Sequence, residues 1–368
     1  MLKFKEFCEA MFENGDIPQS LTRIQSAITK IQNVDSKTQD KIVNKLEDTA
    51  EYVEKFEHIS EIHRFFVEEK GFSEHDFDAL KNIIQKDSEE SLINLIKYLN
   101  APYDEAYFVG MNNPVNLPSK MSKDTGISST TLGAIFSMEG AMKSGKGVGR
   151  GELFLGLMAK GAKNSAKGDV DINGTKYEVK AKDARLNTQN GFGLGTPAMI
   201  SFFDGLKSID ANLAQTYGEK SKANIQSYNF TRKGSRFYDL FSDAAKLKKL
   251  DSIFELLSTT LYCGPSGIWP NGDASIKKAI IDNFKSNVKA NGSADDASLN
   301  YGLMYINILY YQTQEYFKGI FLIDPKSGNF AFFNPQEKNG AKWLQKNTKY
   351  TVPSWQDNPT SMCYKISI

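Results

Sequence analysis

The sequence predicts a mixed α/β (α+β) protein, with an all-helical N-terminal domain followed by a sheet core flanked by helices. Three observations carry this. Over residues 1–100, apolar side chains recur at three- and four-residue spacing with few breakers before Gly71, the period of amphipathic helices. Asn173-Gly174 stands between two alternating runs, and this dipeptide is the strongest short-range signal for a two-residue hairpin turn. "KGIFLID" and "GNFAFF" flank Pro325-Lys326-Ser327 as a second hairpin, whose apolar runs suit a central strand.

Taken in order, "LTRIQSAITKIQNVDSKTQDKIVNKLEDTAEYVEKFEHISEIHRFFVEEKGF" and "EESLINLIKYL" read as helices of a domain spanning residues 1–100. This domain holds 13 Lys and Arg against 20 Asp and Glu, a net of −7, which suits packing or a protein partner and not a DNA surface. Residues 101–150 loosen: Pro102, Pro114, Pro118 and "GAMKSGKGVGRG" predict a linker followed by a flexible, basic, glycine-rich loop. The remaining domain, 151–368, opens with Glu152 and an apolar stretch (Leu153, Phe154, Leu157, Met158) expected to be helical to about Lys160. The hairpin around Asn173-Gly174 follows, then the glycine-rich "NGFGLGTPA", then helices from about Ser201 to Ser258 as an insertion. "ASLNYGLMYINILYYQTQEYF" is a long aromatic helix expected in the core, and "MCYKISI" reads as an edge strand.

With 368 residues and 40% hydrophobic content the chain can bury a sizeable core in two domains. Three widely spaced cysteines imply no disulfide framework and a reducing compartment. No run approaches the ~18–20 apolar residues of a membrane span, and the first residues mix charges too early for a signal peptide. The expectation is a soluble protein of the cytoplasm or, if phage-encoded, of the host cytoplasm or virion.

The segment "GDVDINGTKYEVKAK" (168–182) poses the functional question, because it crowds charge onto a strand pair. A turn at Asn173-Gly174 pairs Ile172 with Thr175, Asp171 with Lys176, Val170 with Tyr177 and Asp169 with Glu178. Asp169, Asp171, Lys176, Glu178 and Lys180 then share one face, and Val170, Ile172, Tyr177, Val179 and Ala181 share the apolar one. Directly opposite Cβ atoms lie roughly 4.5–5.5 Å apart and like charges there are destabilising, so Asp169 against Glu178 is a local fault unless a cation sits between them. Mg²⁺ answers that need, since it takes one or two carboxylates and keeps several waters for a phosphate substrate. The rival is a solvated edge hairpin.

An acid followed on the next strand by acid-x-Lys, here Asp169 and Glu178-Val179-Lys180, resembles the PD-(D/E)XK nuclease superfamily, the restriction-endonuclease-like fold, and phage-encoded members are included in the likeness. The resemblance covers about Gly149 to Leu186, with Gly-Asp in place of Pro-Asp. It implies a mixed sheet core flanked by helices, with Glu152 as a further acid on the helix before the first catalytic strand. Asp169, Glu178 and the Val179 carbonyl would hold Mg²⁺, with Mn²⁺ as a substitute. Glu152, Asp169, Glu178 and Lys180 would be catalytic, Lys180 helping to activate a water for in-line attack on a phosphodiester. Asp169 is preferred to Asp171 because the register sets it opposite Glu178.

Charge distribution agrees. Residues 141–185 hold ten Lys and Arg against five acids, a net of +5 in a chain whose overall charge is +1. Such an island is the footprint of a polyanion, here DNA, with Lys146, Arg150, Lys182 and Arg185 as nucleic-acid contacts. "GAMKSGKG" resembles a phosphate loop, but Gly147 stands where the metal-binding hydroxyl belongs. His58, His63 and His75 lack cysteines at zinc spacing, and no histidine near the hairpin supplies a base for Ser or Cys chemistry. The expectation is therefore a Mg²⁺-dependent DNA endonuclease without a membrane partner. A protein partner at the acidic helices and a homodimer stay open. The alternative is a non-catalytic phage structural or DNA-packaging protein that keeps the fold.

Overall fold

The computed structural model describes residues 55–138, 140–141, 147–149, 151–164, 169–181, 184–186, 196–218, 236–289, 296–313, 317–337, 340–350 and 364–368. The chain forms two compact units, Met1–Lys97 and Tyr98–Ile368. Among the described residues no helix is long and apolar enough to cross a membrane.

In the first unit, residues 55–63 are helical and pass into a π-helical turn, Arg64–Glu69. Helix α1 (Glu74–Ile84) starts at Ser73, whose side chain accepts the Asp76 N–H, and Glu74 and Asp76 complement the positive helix start. Its apolar stripe buries Phe77, Leu80 and Ile84, and the Phe66 ring meets those of Phe72 and Phe77. Helix α2 (Glu89–Asn100) carries the unit boundary near its end.

The second unit is built on a six-stranded mixed sheet. Its strands are β1 (Val115–Asn116), β4 (Ala162–Asn164), β5 (Val170–Ile172), β6 (Thr175–Ala181), β8 (Phe317–Asp324) and β9 (Asn329–Phe333), in the order β1-β9-β8-β6-β5-β4. β6 and β8 run parallel, and every other pairing is antiparallel. A two-stranded ribbon joins β2 (Gly140–Ala141) to β3 (Gly147–Val148), flanking "MKSGK" with antiparallel strands and not with the strand and helix of a phosphate loop. A separate three-stranded sheet has the order β10 (Lys349–Tyr350), β11 (Tyr364–Ser367), β7 (Ala184–Leu186). The strand "YKIS", expected at an edge, is thus the central one of its sheet, because β10 and β7 pair with it on either side.

Helices cover both faces of the larger sheet. On one face lie Tyr177, Phe321, Phe330 and Phe332, with ring contacts among them, and Phe108 of α3 (Glu105–Val109) meets Phe330. This layer also holds α4 (Leu117–Thr125), α5 (Ser129–Ser137) and α6 (Glu152–Met158), with a ring contact between Phe136 and Phe154. On the other face Ile320, Leu322 and Phe333 join a core supplied by α7 (Thr196–Gly205), α8 (Ala211–Tyr217), α9 (Arg236–Lys246), α10 (Leu250–Leu256), α11 (Ala274–Lys289), α12 (Asp296–Gln312) and α13 (Gly340–Asn347). Helices α7 to α12 lie between the two hairpins and run well past the expected Ser201 to Ser258, while α13 follows the second hairpin.

The segment 101–138, expected as linker, is packed structure. Pro118 lies in the first turn of α4, where a missing N–H costs nothing, and Asn116 caps that helix by accepting the Ser119 N–H at 2.9 Å. Leu117, Met121, Leu132, Ile135 and Phe136 are fully buried, and β1 extends the sheet beyond β9. Asn116 and Pro118 are a cap and a helix start, which share their composition with loops; Pro102 and Pro114 stand between elements.

Candidate active site

The turn at Asn173-Gly174 forms as its residues require, with φ of 51° and 89°, a left-handed pair that closes the hairpin with the register Ile172–Thr175, Asp171–Lys176 and Val170–Tyr177. The ladder stops there. Asp169 does not sit opposite Glu178 as expected; its N–H donates to the Tyr177 carbonyl at 2.9 Å, and its Oδ2 accepts the Val179 N–H at 2.7 Å. The aspartate therefore reaches across to the strand that carries the acid-x-Lys triplet and is held by its backbone.

Neither is this a solvated edge hairpin. β5 and β6 lie inside the six-stranded sheet, β5 is buried along its length, and β6 is covered on its other side by β8. Asp171 is buried, with its Oδ1 accepting the Gly174 N–H at 2.7 Å, so it ties the turn and is not part of the charged group.

Glu178 and Lys180 stand two apart on β6, in register with Ile320 and Leu322 of β8 and so on that face of the sheet. The Lys180 ammonium bonds the Glu178 carboxylate and lies 3.8 Å from Asp169 Oδ2. All three side chains are largely covered, at 15% exposure for Lys180, 17% for Glu178 and 29% for Asp169. Burial pushes the Glu178 carboxyl above the usual carboxylate range; Lys180 opposes the shift and the Asp169 charge adds to it.

Glu152 begins α6 and belongs to the same electrostatic group. Its carboxyl is pushed up to about 6, first by burial and then by the Asp169 charge, while a Gly149 backbone hydrogen bond and Lys180 oppose the shift and Glu178 adds to it. The helix reaches this position because Gly151 lets it close onto the sheet: a Cβ there would fall 2.1 Å from Ile323 Cδ1 and 3.0 Å from Val179 Cγ1. At its other end, the buried Tyr98 hydroxyl donates to the Met158 carbonyl at 2.6 Å. The helix ends at Met158, two residues before the expected end.

The structure thus brings together Asp169, Glu178 and Lys180, while Glu152, at the start of α6, feels the charges of all three. Lys146, Arg150 and Lys182 lie outside the described residues, as does most of "NGFGLGTPA"; Arg185 is placed by its backbone in β7. Sequence reasoning missed the Val179 N–H as the group that holds Asp169, a contact signalled only by the short span between the two strands. It also passed over Asp324, buried at the end of β8 with its Oδ1 on the Lys326 N–H at 3.1 Å.

Among the described residues no group of three or more His, Cys, Asp or Glu side chains is gathered as a metal cage. The donor set nevertheless fits Mg²⁺, which needs only one or two carboxylates. Asp169 and Glu178 stand on either side of one ammonium, and Glu178 and Glu152 are held above the usual carboxylate range, first by burial and then by neighbouring carboxylate charge that Lys180 only partly offsets. Compared with family models, curated proteins and solved structures, the chain matches none.

Proposed function

We propose that this chain is a metal-dependent nuclease that hydrolyses DNA phosphodiester bonds, most simply an endonuclease, with a restriction-endonuclease-like core. The observation that carries the reading is the Lys180 ammonium set between the Glu178 and Asp169 carboxylates on a central strand, with the Glu152 carboxyl electrostatically coupled to all three. The arrangement of α6, the meander β4–β5–β6 and the parallel partner β8 is in keeping with a sheet core flanked by helices and an acid-bearing helix before the catalytic hairpin.

Asp169, Glu178 and the Val179 carbonyl would hold Mg²⁺ or Mn²⁺. The bound ion would lower the pKa of a coordinated water and draw charge from the phosphoryl oxygens. Lys180, beside Glu178 and Asp169, would be placed to orient the attacking water and to face the developing phosphoryl charge. Glu152, the acid with the raised pKa, is suited to take up the water proton. Partial burial keeps competing water away from these groups.

The test is incubation of the purified protein with supercoiled and linear DNA in Mg²⁺, Mn²⁺ or chelator. Nicking or linearisation that needs the metal, lost in Glu178→Ala and in Lys180→Ala with the fold retained, is the expected result. Wild-type rates in either variant would sink the assignment. No cleavage of any nucleic acid by the wild type would leave the group as an ion pair of a non-catalytic protein.

A further inference from the structure

The small sheet beside the site carries a charge pattern of its own. In-register partners lie on the same face of a sheet, and residues two apart on a strand return to that face. Arg185 of β7 is the direct partner of Lys365 on β11, and Ser367, two further on, is the partner of Lys349 on β10. Positions 185, 365, 367 and 349 therefore share one face, which reads Arg, Lys, Ser, Lys. The opposite face collects Ala184, Leu186, Tyr364, Ile366 and Tyr350, a set suited to a core.

Like charges directly opposite each other in an antiparallel pair are destabilising. Arg185 against Lys365 is such a pair, and the basic character does not stop there. Lys349 is exposed, and it follows α13, where the exposed Lys342 and Lys346 form a second like-charge pair at four-residue spacing. Residues 338–368 contain five lysines and a single acid, Asp357, a net of +4. An anion laid across a face of this composition would offset the like charges that the register sets opposite each other.

Its position says which anion. β7 starts four residues after Lys180, and β11 lies beside β8, the parallel partner of the site strand. Five residues of extended chain, from Lys180 to Arg185, span at most about 17 Å. At ~3.4 Å per nucleotide along one strand, that is roughly five nucleotides. We propose that the β10–β11–β7 sheet is a backbone-binding strip for duplex DNA, in which Lys349 and Lys365 join Arg185 in holding the phosphates that flank the bond at the site. The assignment rests on the nuclease reading for the identity of the polyanion. It adds two lysines that lie outside the basic stretch 141–185.

Binding of a fluorescent duplex to the full-length protein, measured by anisotropy in chelator over a salt series, tests the strip without cleavage. A phosphate contact contributes a slope near −0.9 in log affinity against log salt. The Lys349→Gln, Lys365→Gln double variant is expected to bind about tenfold or more weakly at ~0.1 M salt, with a slope shallower by about 1 per lysine. The exposed Lys349→Gln alone should show about half of that change in slope, and Lys349→Arg with Lys365→Arg should bind like the wild type. Equal affinity and slope in the wild type and both Gln variants would overturn the strip while leaving metal-dependent cleavage, measured separately, to judge the site. A wild type that binds no duplex would overturn the strip, and if it also cut nothing in Mg²⁺ or Mn²⁺ the nuclease reading would fall with it.

Discussion

Two aspartates two residues apart divide the labour of the hairpin. Asp171 is buried and bonds the Gly174 N–H, whereas Asp169 crosses to the Val179 N–H beside Lys180. Asp171→Ala should therefore cost about 1–2 kcal/mol of stability by removing a buried acceptor from a donor, with cleavage per folded molecule largely kept. Asp169→Ala should abolish cleavage at little cost in melting temperature, since it also removes a carboxylate from a crowded group. The opposite ranking in a paired activity and melting experiment would reassign the two. Glu152 yields a pH test. Its pKa rises from 4.5 to about 6 on folding, so ionisation is penalised in the native state. The penalty is absent below the unfolded value and fully present above the folded one. In chelator, the melting temperature of Glu152→Gln minus that of the wild type should widen as pH rises from about 4.5 through 6. A gap that narrowed over that range would mean the glutamate gains from being charged. The grouping of Asp169, Glu178 and Lys180 was legible because acid and acid-x-Lys are local patterns. The Asp169–Val179 contact was not, because a ladder extrapolated by one residue pair looks the same in sequence whether it continues or stops.

At the scale of elements, the approach of α6 to the sheet sets the position of Glu152. Gly151→Ala would drive a methyl into Ile323 and Val179, and overpacking of this kind costs typically ~1–3 kcal/mol. A drop in melting temperature together with a larger loss of cleavage is expected, because the displaced residue adjoins Glu152. A loss of stability with full specific activity would show that α6 does not position that acid. Element types followed from period and turn chemistry, as with α12 and the hairpin β8–β9. Failures came where one composition serves two structures. Pro118 begins a helix, and the residues flanking it read equally as loop; β11 is short enough to read as an edge, yet it is paired on both sides. The parallel pairing of β6 with β8 was invisible because its partners stand far apart in the chain and no local pattern records it.

Over the whole molecule, charge is partitioned by unit. Residues 1–97 carry 13 basic and 20 acidic side chains, and residues 98–368 carry 32 and 24, so the first unit nets −7 and the second +8. Duplex binding should reside in the second unit, and an isolated 1–97 chain should show none at physiological salt. Binding by that fragment as tight as by the full chain would contradict the charge argument. The place of a cut matters as well. A chain starting at Glu89 keeps α2 and the Tyr98–Met158 bond, whereas one starting at Ala101 loses the buried tyrosine that secures the end of α6. The first should keep cleavage and the second should lose both stability and activity.

The β6–β8 pairing also sets a timetable. Residues 182–316 are made after β6 is complete and before its parallel neighbour begins. At ~5–20 residues per second, the ribosome leaves one edge of β6 open for roughly 7–27 s. An open strand edge invites pairing with another chain, and lysines on it are a common deterrent. Lys176 and Lys180 sit on that strand throughout the wait. Until β8 arrives, the newborn polypeptide has its acids and its lysine but no central sheet to hold them. The charges proposed to cut DNA in the finished molecule would first guard an unfinished one.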